Sequence, residues 1–459
     1  KEKGSPVFAG SLNQQGTLKI LAQKIGKQTL LAQIISRVEQ ALGSKPEIQK
    51  LADRISSIFV PTVFLIAVVS ALFWYIFPFN TPPQFALTTF INVLIIACPC
   101  ALGLATPTAL MVGIGKGAKQ GILIKDAQAL ELANKITDIV FDKTGTLTKG
   151  EPEVTAIEPA AIYTVKDVLA LAAAAEAESE HPLAKAIIKH VGSKTLVGSN
   201  FSSSPAVGVS ATVDGRQVQV GGPALLTQTG ATELSIAEAW RTEGAIILHV
   251  LVEGRVAGAI KLVDAIRSES KQAVRALHSQ GIKVAMVTGD AEAVAQSVAA
   301  ELGIDRVFAG VKPADKAAKV RELQIEGLKV AMVGDGVNDA PALAQADVGI
   351  AIGAGTDVAI ASAGVILASS DPRSVLSVIS LSKHSYQKMK QNLWWAAGYN
   401  IVSVPLAAGI LAPFGFILPM SVGAVLMSLS TVVVAANAQL LRRIDLRPEA
   451  SIREVMGVK

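Results

Sequence analysis

Four stretches of this chain run long without a charged residue. Ile58 to Phe77 covers about 20 residues, the length that crosses the hydrocarbon core of a bilayer. Gln84 to Gly115 contains a second uncharged span, and Leu393 to Leu411 and Phe416 to Leu441 form another pair. Core helices of a large soluble protein need neither that length nor that lack of charge. The connections Pro78 to Pro83 and Ala412 to Gly415 are short and uncharged, so each pair predicts a helical hairpin. Between the hairpins lie roughly 270 residues of polar, alternating strand and helix pattern. Three continuous apolar runs stand out there: Ile139-Val140-Phe141, Val284-Ala285-Met286-Val287 and Val330-Ala331-Met332-Val333. Runs without polar alternation suit strands of a parallel sheet buried on both faces.

Charge assigns sides to this pattern. The 459 residues are 51% apolar with a net charge of +5. The basic residues gather beside the spans: Lys116, Lys119 and Lys125 follow the first hairpin, Lys383, Lys388 and Lys390 precede the second, and Arg442, Arg443 and Arg447 follow it. Positive flanks place the termini and the central domain in the cytoplasm. The net charge is thus a membrane-flanking bias, and the lipid bilayer is the expected partner. No basic patch interleaved with aromatics suggests nucleic acid. Lys1 to Gln23 is polar, without the apolar segment of a secretory signal.

Each of the three apolar runs ends in chemistry. The first meets Asp142-Lys143-Thr144-Gly145-Thr146-Leu147-Thr148, the second Thr288-Gly289-Asp290, and the third Gly334-Asp335-Gly336-Val337-Asn338-Asp339. Strand tips are where open α/β sheets bind ligands. A carboxylate at such a tip can attack phosphorus to form an aspartyl phosphate. The hydroxyls suit phosphate oxygens, and Mg²⁺ needs only one or two carboxylates besides phosphate oxygens and water. An Asp-initiated turn would explain Asp142 alone, but not seven consecutive residues of this composition.

Together and in this order, the motifs resemble the phosphorylation domain of the P-type ATPases, a haloacid-dehalogenase-like fold. The resemblance makes Asp142 the phosphorylated residue, with Mg²⁺ held by its carboxylate, the Thr144 carbonyl and Asp335. Thr288 and Lys316 (in Pro313-Ala314-Asp315-Lys316) would hold phosphoryl oxygens, with Lys143, Gly289, Asp290, Asn338 and Asp339 completing the site. Position 144 is Thr where related phosphatases carry an acid/base carboxylate, which implies a longer-lived phosphoenzyme. Gly150 to Glu253 interrupts this domain and reads as an inserted α+β domain, with hairpins at Asp214-Gly215 and Glu253-Gly254. Ser179-Glu180-His181-Pro182-Leu183 resembles the nucleotide-domain signature of the heavy-metal-transporting members. The resemblance implies ATP contacts from His181 and the upstream Glu176. Of the family's Gly-x-Gly, Ala206-Val207-Gly208 keeps only Gly208.

The two cysteines, Cys98 and Cys100, flank Pro99 inside the second uncharged span. A disulfide between residues two apart would be strained, so free thiols are expected. On a regular helix they would point about 200° apart. Pro99 removes a backbone donor and displaces a carbonyl, a defect costing roughly 3 kcal/mol in an ordinary helix. The kink can turn both sulfurs toward one soft cation. Cys-Pro-Cys matches the transport motif of the heavy-metal branch, and Gly398-Tyr399-Asn400 and Met427-Ser428-Leu429-Ser430-Thr431 resemble its copper-transporting members. Tyr399, Asn400, Met427 and Ser428 are therefore implied as partners for the transported copper ion. The lysine and aspartate of the zinc-type members are missing between Gln391 and Leu441. Ser430-Thr431 resembles a Cu(II)-linked subgroup, but two thiols outweigh one methyl and favour Cu(I).

The expected architecture is multi-domain α/β with membrane hairpins. Residues 1–20 resemble the end of an actuator domain, 21–57 linker helices, 58–112 the Cys-Pro-Cys hairpin, and 113–149 with 254–382 the phosphorylation domain. Residues 150–253 form the nucleotide-binding domain, 383–445 the second hairpin and 446–459 a cytoplasmic tail. The family's dephosphorylation loop and earlier spans lie upstream of what this sequence carries, so it reads as the later part of a longer protein. The resemblance implies an ATP-driven Cu(I) exporter of a bacterial inner membrane, fed by a cytosolic copper carrier. The rivals are a pump for Cu(II) or another heavy metal, a membrane-tethered phosphohydrolase, and an inactive truncated metal-binding protein.

Overall fold

A computed structural model describes Lys19, Leu21 and residues 46–77, 82, 84–98, 100–179, 181–192, 196–204, 207–353 and 361–457. The actuator-like segment apart from Lys19, most of the linker before residue 46, most of the 78–83 connection, Pro99 and Ala206 lie outside the described residues. The chain divides into two compact units. One comprises Lys1–Lys135, Ala363–Ala368 and Ser374–Ser451, the other Ile136–Ser362, Ser369–Arg373 and Ile452–Lys459.

In chain order the strands are β1 (Ile122–Ile124), β2 (Asp138–Asp142), β3 (Thr148–Pro159), β4 (Gly198–Ser204) and β5 (Gly208–Val213). They continue with β6 (Arg216–Gly221), β7 (Ile246–Val252), β8 (Arg255–Ile266) and β9 (Lys283–Val287). The last are β10 (Arg306–Phe308), β11 (Val330–Gly334), β12 (Val348–Ile352) and β13 (Val365–Leu367).

In the second unit, β12, β11, β2, β9 and β10 lie side by side, all parallel. The apolar runs account for this. Ile139, Val140, Phe141, Met332 and Val333 are fully buried, as in a sheet covered on both faces. After β2 the chain builds β9 and β10 on one side, then crosses to build β11 and β12 on the other. That reversal puts a crevice at the carboxyl end of β2, the usual ligand site of such sheets. Register aligns the tips: Asp142 pairs with Val287 and Phe141 with Val333, so Thr288 and Asp335 emerge beside Asp142.

The insertion is a six-stranded antiparallel sheet in the order β3-β8-β7-β6-β5-β4. Asp214 and Gly215, and Glu253 and Gly254, all take positive φ, as two-residue hairpin turns require. The helices Val165–Ala175 and Pro182–Val191 cover one face; the first starts with a capping box between Thr164 and Asp167. One expected boundary needs correction. Glu253 is not the end of the insertion but part of the β7–β8 turn, and β8 pairs with β7 and β3 as far as Ile266. A sheet cannot stop in the middle of its own hairpin.

The first unit is helical, with a short antiparallel pair, β1 and β13. Among the described residues, three helices are long and apolar enough to cross a membrane: Glu47–Ile76, Phe85–Lys119 and Met420–Arg443. The second is interrupted, with regular helix at Phe85–Ile96 and again at Cys100–Lys119. The third expected span, Leu393 to Leu411, is not in this set. It is the end of the helix Ser374–Ala407, where Asn392, Asn400 and Ser403 are buried among the apolar residues and lower its hydropathy. Around the interruption, Ile96, Ala97, Val63, Val404 and Leu418 form one core, and Ala101, Leu102, Ala396 and Val434 another. Large apolar side chains such as Ile58, Leu65, Val69, Val425 and Val432 remain exposed, as a lipid-facing surface would require.

Candidate active site and metal centre

Asp142 ends β2 and is buried beside Lys316 and Asp339, with the half-buried Asp335 close by. The Lys316 ammonium donates to Asp142 Oδ1 at 2.6 Å and to Asp339 Oδ1 at 2.7 Å. Carboxylate oxygens of Asp142, Asp335 and Asp339 all lie within 4.8 Å of one another. Burial first, and then the charge of Asp339, push the Asp142 carboxyl up to about 7, against the pull of Lys316. Burial and Asp339 also raise Asp335. Burial works against the charged Lys316, but the two carboxylates outweigh it and hold the ammonium above its ordinary value. Three carboxylates facing one lysine leave negative charge to be balanced, by a proton or by a cation. The donor set fits Mg²⁺: hard oxygens, two or more carboxylates, and an open side toward solvent.

The loop after Asp142 is shaped by close approach. Gly145 has φ +78°, and a Cβ there would come within 2.2 Å of Asp335 Oδ2. The left-handed backbone and the close carboxylate together favour glycine here. Lys143 is buried and turns to form an ion pair with Asp290. Thr288 is buried, and its Oγ1 accepts the Asp290 N–H at 3.1 Å. Gly289 and Asn338 line the same cleft, while Asp339 Oδ2 accepts the Gly336 N–H at 3.2 Å. Asp339 thus serves chiefly to hold Lys316 and its own turn.

Two residues of this site escaped the sequence reading. Asp264, near the end of β8, accepts the Thr148 hydroxyl at 2.5 Å and the Gly150 N–H at 3.0 Å. Arg267 donates to the carbonyls of Thr148 at 3.0 Å and Gly145 at 3.1 Å. Both fasten the loop that follows Asp142 from behind. Their signal was a carboxylate and an arginine three positions apart, where an apolar strand runs into a helix.

Glu176, His181 and Gly208 line a second cleft of about 450 Å³, together with Ser203, Ser204 and Gly221. Glu176 is buried and its Oε2 has no protein partner. Burial holds its carboxyl above the usual range, against a hydrogen bond from Ser179. His181 caps the helix Pro182–Val191, its Nδ1 accepting the Leu183 N–H at 3.2 Å. At Gly208, φ is +147° and a Cβ would reach 2.1 Å from Val220 O. This glycine is therefore required by the pairing of β5 with β6 as well as by any ligand. Asp290 lines both clefts, so they adjoin one another.

The membrane residues are organised differently. Cys98 and Cys100 are joined in a disulfide with Cα atoms 5.4 Å apart, which corrects the expectation of free thiols. The physical reason is the interruption itself: between Ile96 and Cys100 the backbone leaves the helix, so the sulfurs no longer point apart. Reduction by two electrons would return both thiols. Tyr399 packs against the core that contains Ala97, and its hydroxyl donates to Gly423 O at 3.5 Å. Asn400 is buried, donates to Ala396 O at 2.8 Å and leaves Oδ1 without a partner. Ser428 is exposed and bonds Ala424 O at 3.0 Å, while the Met427 carbonyl accepts the Ser430 hydroxyl. None of these hydrogen bonds reaches the cysteine pair. The sequence reading also missed a polar chain across three helices. Lys388 donates to Asn437 Oδ1 at 2.8 Å, Asn437 to Asn392 Oδ1 at 2.8 Å, and Asn392 to Ala105 O at 3.0 Å.

Comparison with known proteins adds an independent line. Residues 138–347 match the family model of haloacid dehalogenase-like hydrolases. A protein of Archaeoglobus fulgidus described as a probable copper-exporting P-type ATPase is 46% identical over 448 residues, covering 96% of this chain and 55% of its own length. A copper-exporting P-type ATPase of Vibrio cholerae is 46% identical over 450 residues, covering 96% of this chain and 49% of its own. The chain thus spans about half the length of these curated relatives. The crystal structure of a zinc-transporting PIB-type ATPase in its E2.Pi state superposes with a TM-score of 0.72 at 32% identity, covering 91% of this chain and 68% of that one.

Proposed function

Because this chain belongs to the heavy-metal-transporting P-type ATPases, we propose that it forms the catalytic and ion-binding part of an ATP-driven copper exporter working through a phosphate ester on Asp142. The observation that carries this is the Asp142 carboxylate, 2.6 Å from Lys316 and grouped with Asp335 and Asp339 at a strand tip. An Asp142 oxygen attacks the γ-phosphorus of ATP, its bond to the bridging oxygen breaks, and ADP leaves. Lys316 faces the oxygens that gain charge, and the Thr288 hydroxyl offers them a donor. Asp142, Asp335 and the Thr144 carbonyl are the groups that would hold Mg²⁺, which when bound supplies positive charge to the phosphate oxygens. Adenosine lies in the cleft of Glu176, His181 and Gly208, and the shared residue Asp290 connects it with the phosphoryl site.

Copper is the cargo the donor set supports. Two thiols, once reduced, are soft ligands, and no acidic or basic side chain lies between Gln391 and Leu441 to suit a harder divalent ion. Tyr399, Asn400, Met427 and Ser428 join the ion only after a rearrangement of the helices described above. The copper-exporting relatives point the same way, and the positive flanks support an inner-membrane protein with cytoplasmic catalytic domains. Incubation with labelled ATP and Mg²⁺ tests the reading. An acid-stable, hydroxylamine-labile adduct is expected in the parent chain and not in Asp142→Asn. An adduct of equal yield in that variant would overturn the assignment.

A further inference from the structure

The nucleotide cleft contains one lysine or arginine among its described lining residues, Arg241. It stands near the end of the helix Ile236–Thr242, which the sequence reading left without a role. The guanidinium is partly buried and held from two sides. Glu233 accepts from one terminal nitrogen at 2.5 Å, and Glu238 accepts from the other. The two glutamates are not equivalent. Glu233 is mostly buried and faces the fully buried His249, whose Nε2 lies 3.2 Å from the same oxygen without the alignment of a hydrogen bond. Glu238 is 71% exposed and three residues away on the same helix, a solvated pair that contributes little and is easily exchanged. A guanidinium has five N–H donors in a fixed fork, so one anchored by Glu233 still presents a face to an incoming anion.

Its position along the cleft follows from its neighbours. Glu176, His181 and Gly208 line the cleft together with Asp290, which also lines the Asp142 cleft. Three residues after Arg241, Gly244 packs on Val294 and Ser297 of the helix Glu292–Leu302, whose approach begins at Asp290. Arg241 therefore stands on a helix whose end packs on the segment that follows Asp290, the residue shared with the Asp142 cleft. Asp290 and Glu176 are the acidic residues lining the cleft, and Asp290 is already paired with Lys143.

We propose that Arg241 is the residue that reads the phosphate chain of the nucleotide, exchanging Glu238 for phosphate oxygens while Glu233 holds it in place. The proposal rests on the nucleotide reading given above and adds to it the basis for preferring ATP and ADP over adenosine. Calorimetric titration of the full chain in detergent, without Mg²⁺, with ATP, ADP and adenosine tests it. Arg241→Gln lowers affinity for ATP and ADP about tenfold, the loss of one charge-assisted contact, and leaves adenosine unchanged. Unchanged adenosine binding shows that the fold survives the substitution. Arg241→Lys keeps part of the preference, and Glu238→Gln tightens ATP by removing a competing anion. The preference for ATP over adenosine also shrinks as salt is added. An unaltered gap between ATP and adenosine in Arg241→Gln, or equal losses for both, overturns the role of Arg241 while leaving the nucleotide site standing. If the parent chain binds none of the three, or if His181→Ala leaves every affinity unchanged, the nucleotide reading falls and this proposal with it.

Discussion

The Asp142 crevice and the surroundings of the cysteine pair both bury polar side chains, and they satisfy most of them in opposite ways. In the crevice, partners come from different elements: Lys316 reaches Asp142 and Asp339, Lys143 reaches Asp290, and Arg267 reaches back to the loop. Around the cysteine pair, Asn400, Ser403 and Ser428 bond carbonyls of their own helices, and the sulfurs bond each other. The crevice is held by contacts between elements, whereas the residues around the cysteine pair are satisfied locally. On the proposed function the difference follows the tasks: the first site would hold its geometry through chemistry, while the second would be reduced and rearranged before its side chains converge on a cation.

The sharpest way to break the comparison is redox. Cu(I) titration of the air-oxidised chain should show no tight binding in the membrane unit, and treatment with a phosphine reductant should restore it and expose two alkylatable thiols. Tight Cu(I) binding by the oxidised chain, or by Cys98→Ser/Cys100→Ser, would remove the pair as the donors. Next in size is Lys316→Ala. Leaving buried carboxylates without their lysine should cost about 3 kcal/mol or more of stability and abolish the acyl phosphate. A variant that unfolds at the parent's midpoint and still phosphorylates would show that the crevice does not depend on this bridge.

A smaller effect is expected of Arg267→Gln. Losing two donors to loop carbonyls should slow phosphorylation about tenfold while nucleotide binding holds. Rapid-quench measurement of adduct formation separates that outcome from a loss of affinity. Smallest is Asn392→Leu, which removes one link of a polar chain between membrane helices. Such hydrogen bonds average about 0.6 kcal/mol, so unfolding in detergent should shift only slightly. A shift several times larger would mean that the membrane unit relies on cross-helix polar contacts as much as the crevice does.

What could be read from the sequence depended on whether the signal was local. Ile139-Val140-Phe141 and Val330-Ala331-Met332-Val333 announce buried parallel strands because covering both faces leaves no room for alternation. Asp214-Gly215 and Glu253-Gly254 announce hairpins because both residues must take positive φ. Asp264 and Arg267 were harder to find, since their importance lies in distant carbonyls rather than in their own neighbours. The bonded state of Cys98 and Cys100 was misjudged by treating a bridge between residues two apart as too strained, whereas regular helix stops at Ile96 and resumes only at Cys100. The third apolar stretch was read by length, and the buried Asn400 and Ser403 within it, with Asn392 just before it, were given too little weight. Arg241 went unnoticed because a single arginine on a short helix carries no pattern.

The pairing of β3 with β8 has a mechanical consequence. Thr148 opposes Ile266, so the chain enters and leaves the insertion through one two-stranded ribbon. The root of that ribbon is bolted to the loop carrying Asp142 by Asp264 and Arg267. On the proposed function the ribbon would act as a lever with a short arm: a swing of the insertion on nucleotide binding would apply torque six residues from Asp142, beside the loop that contains Gly145.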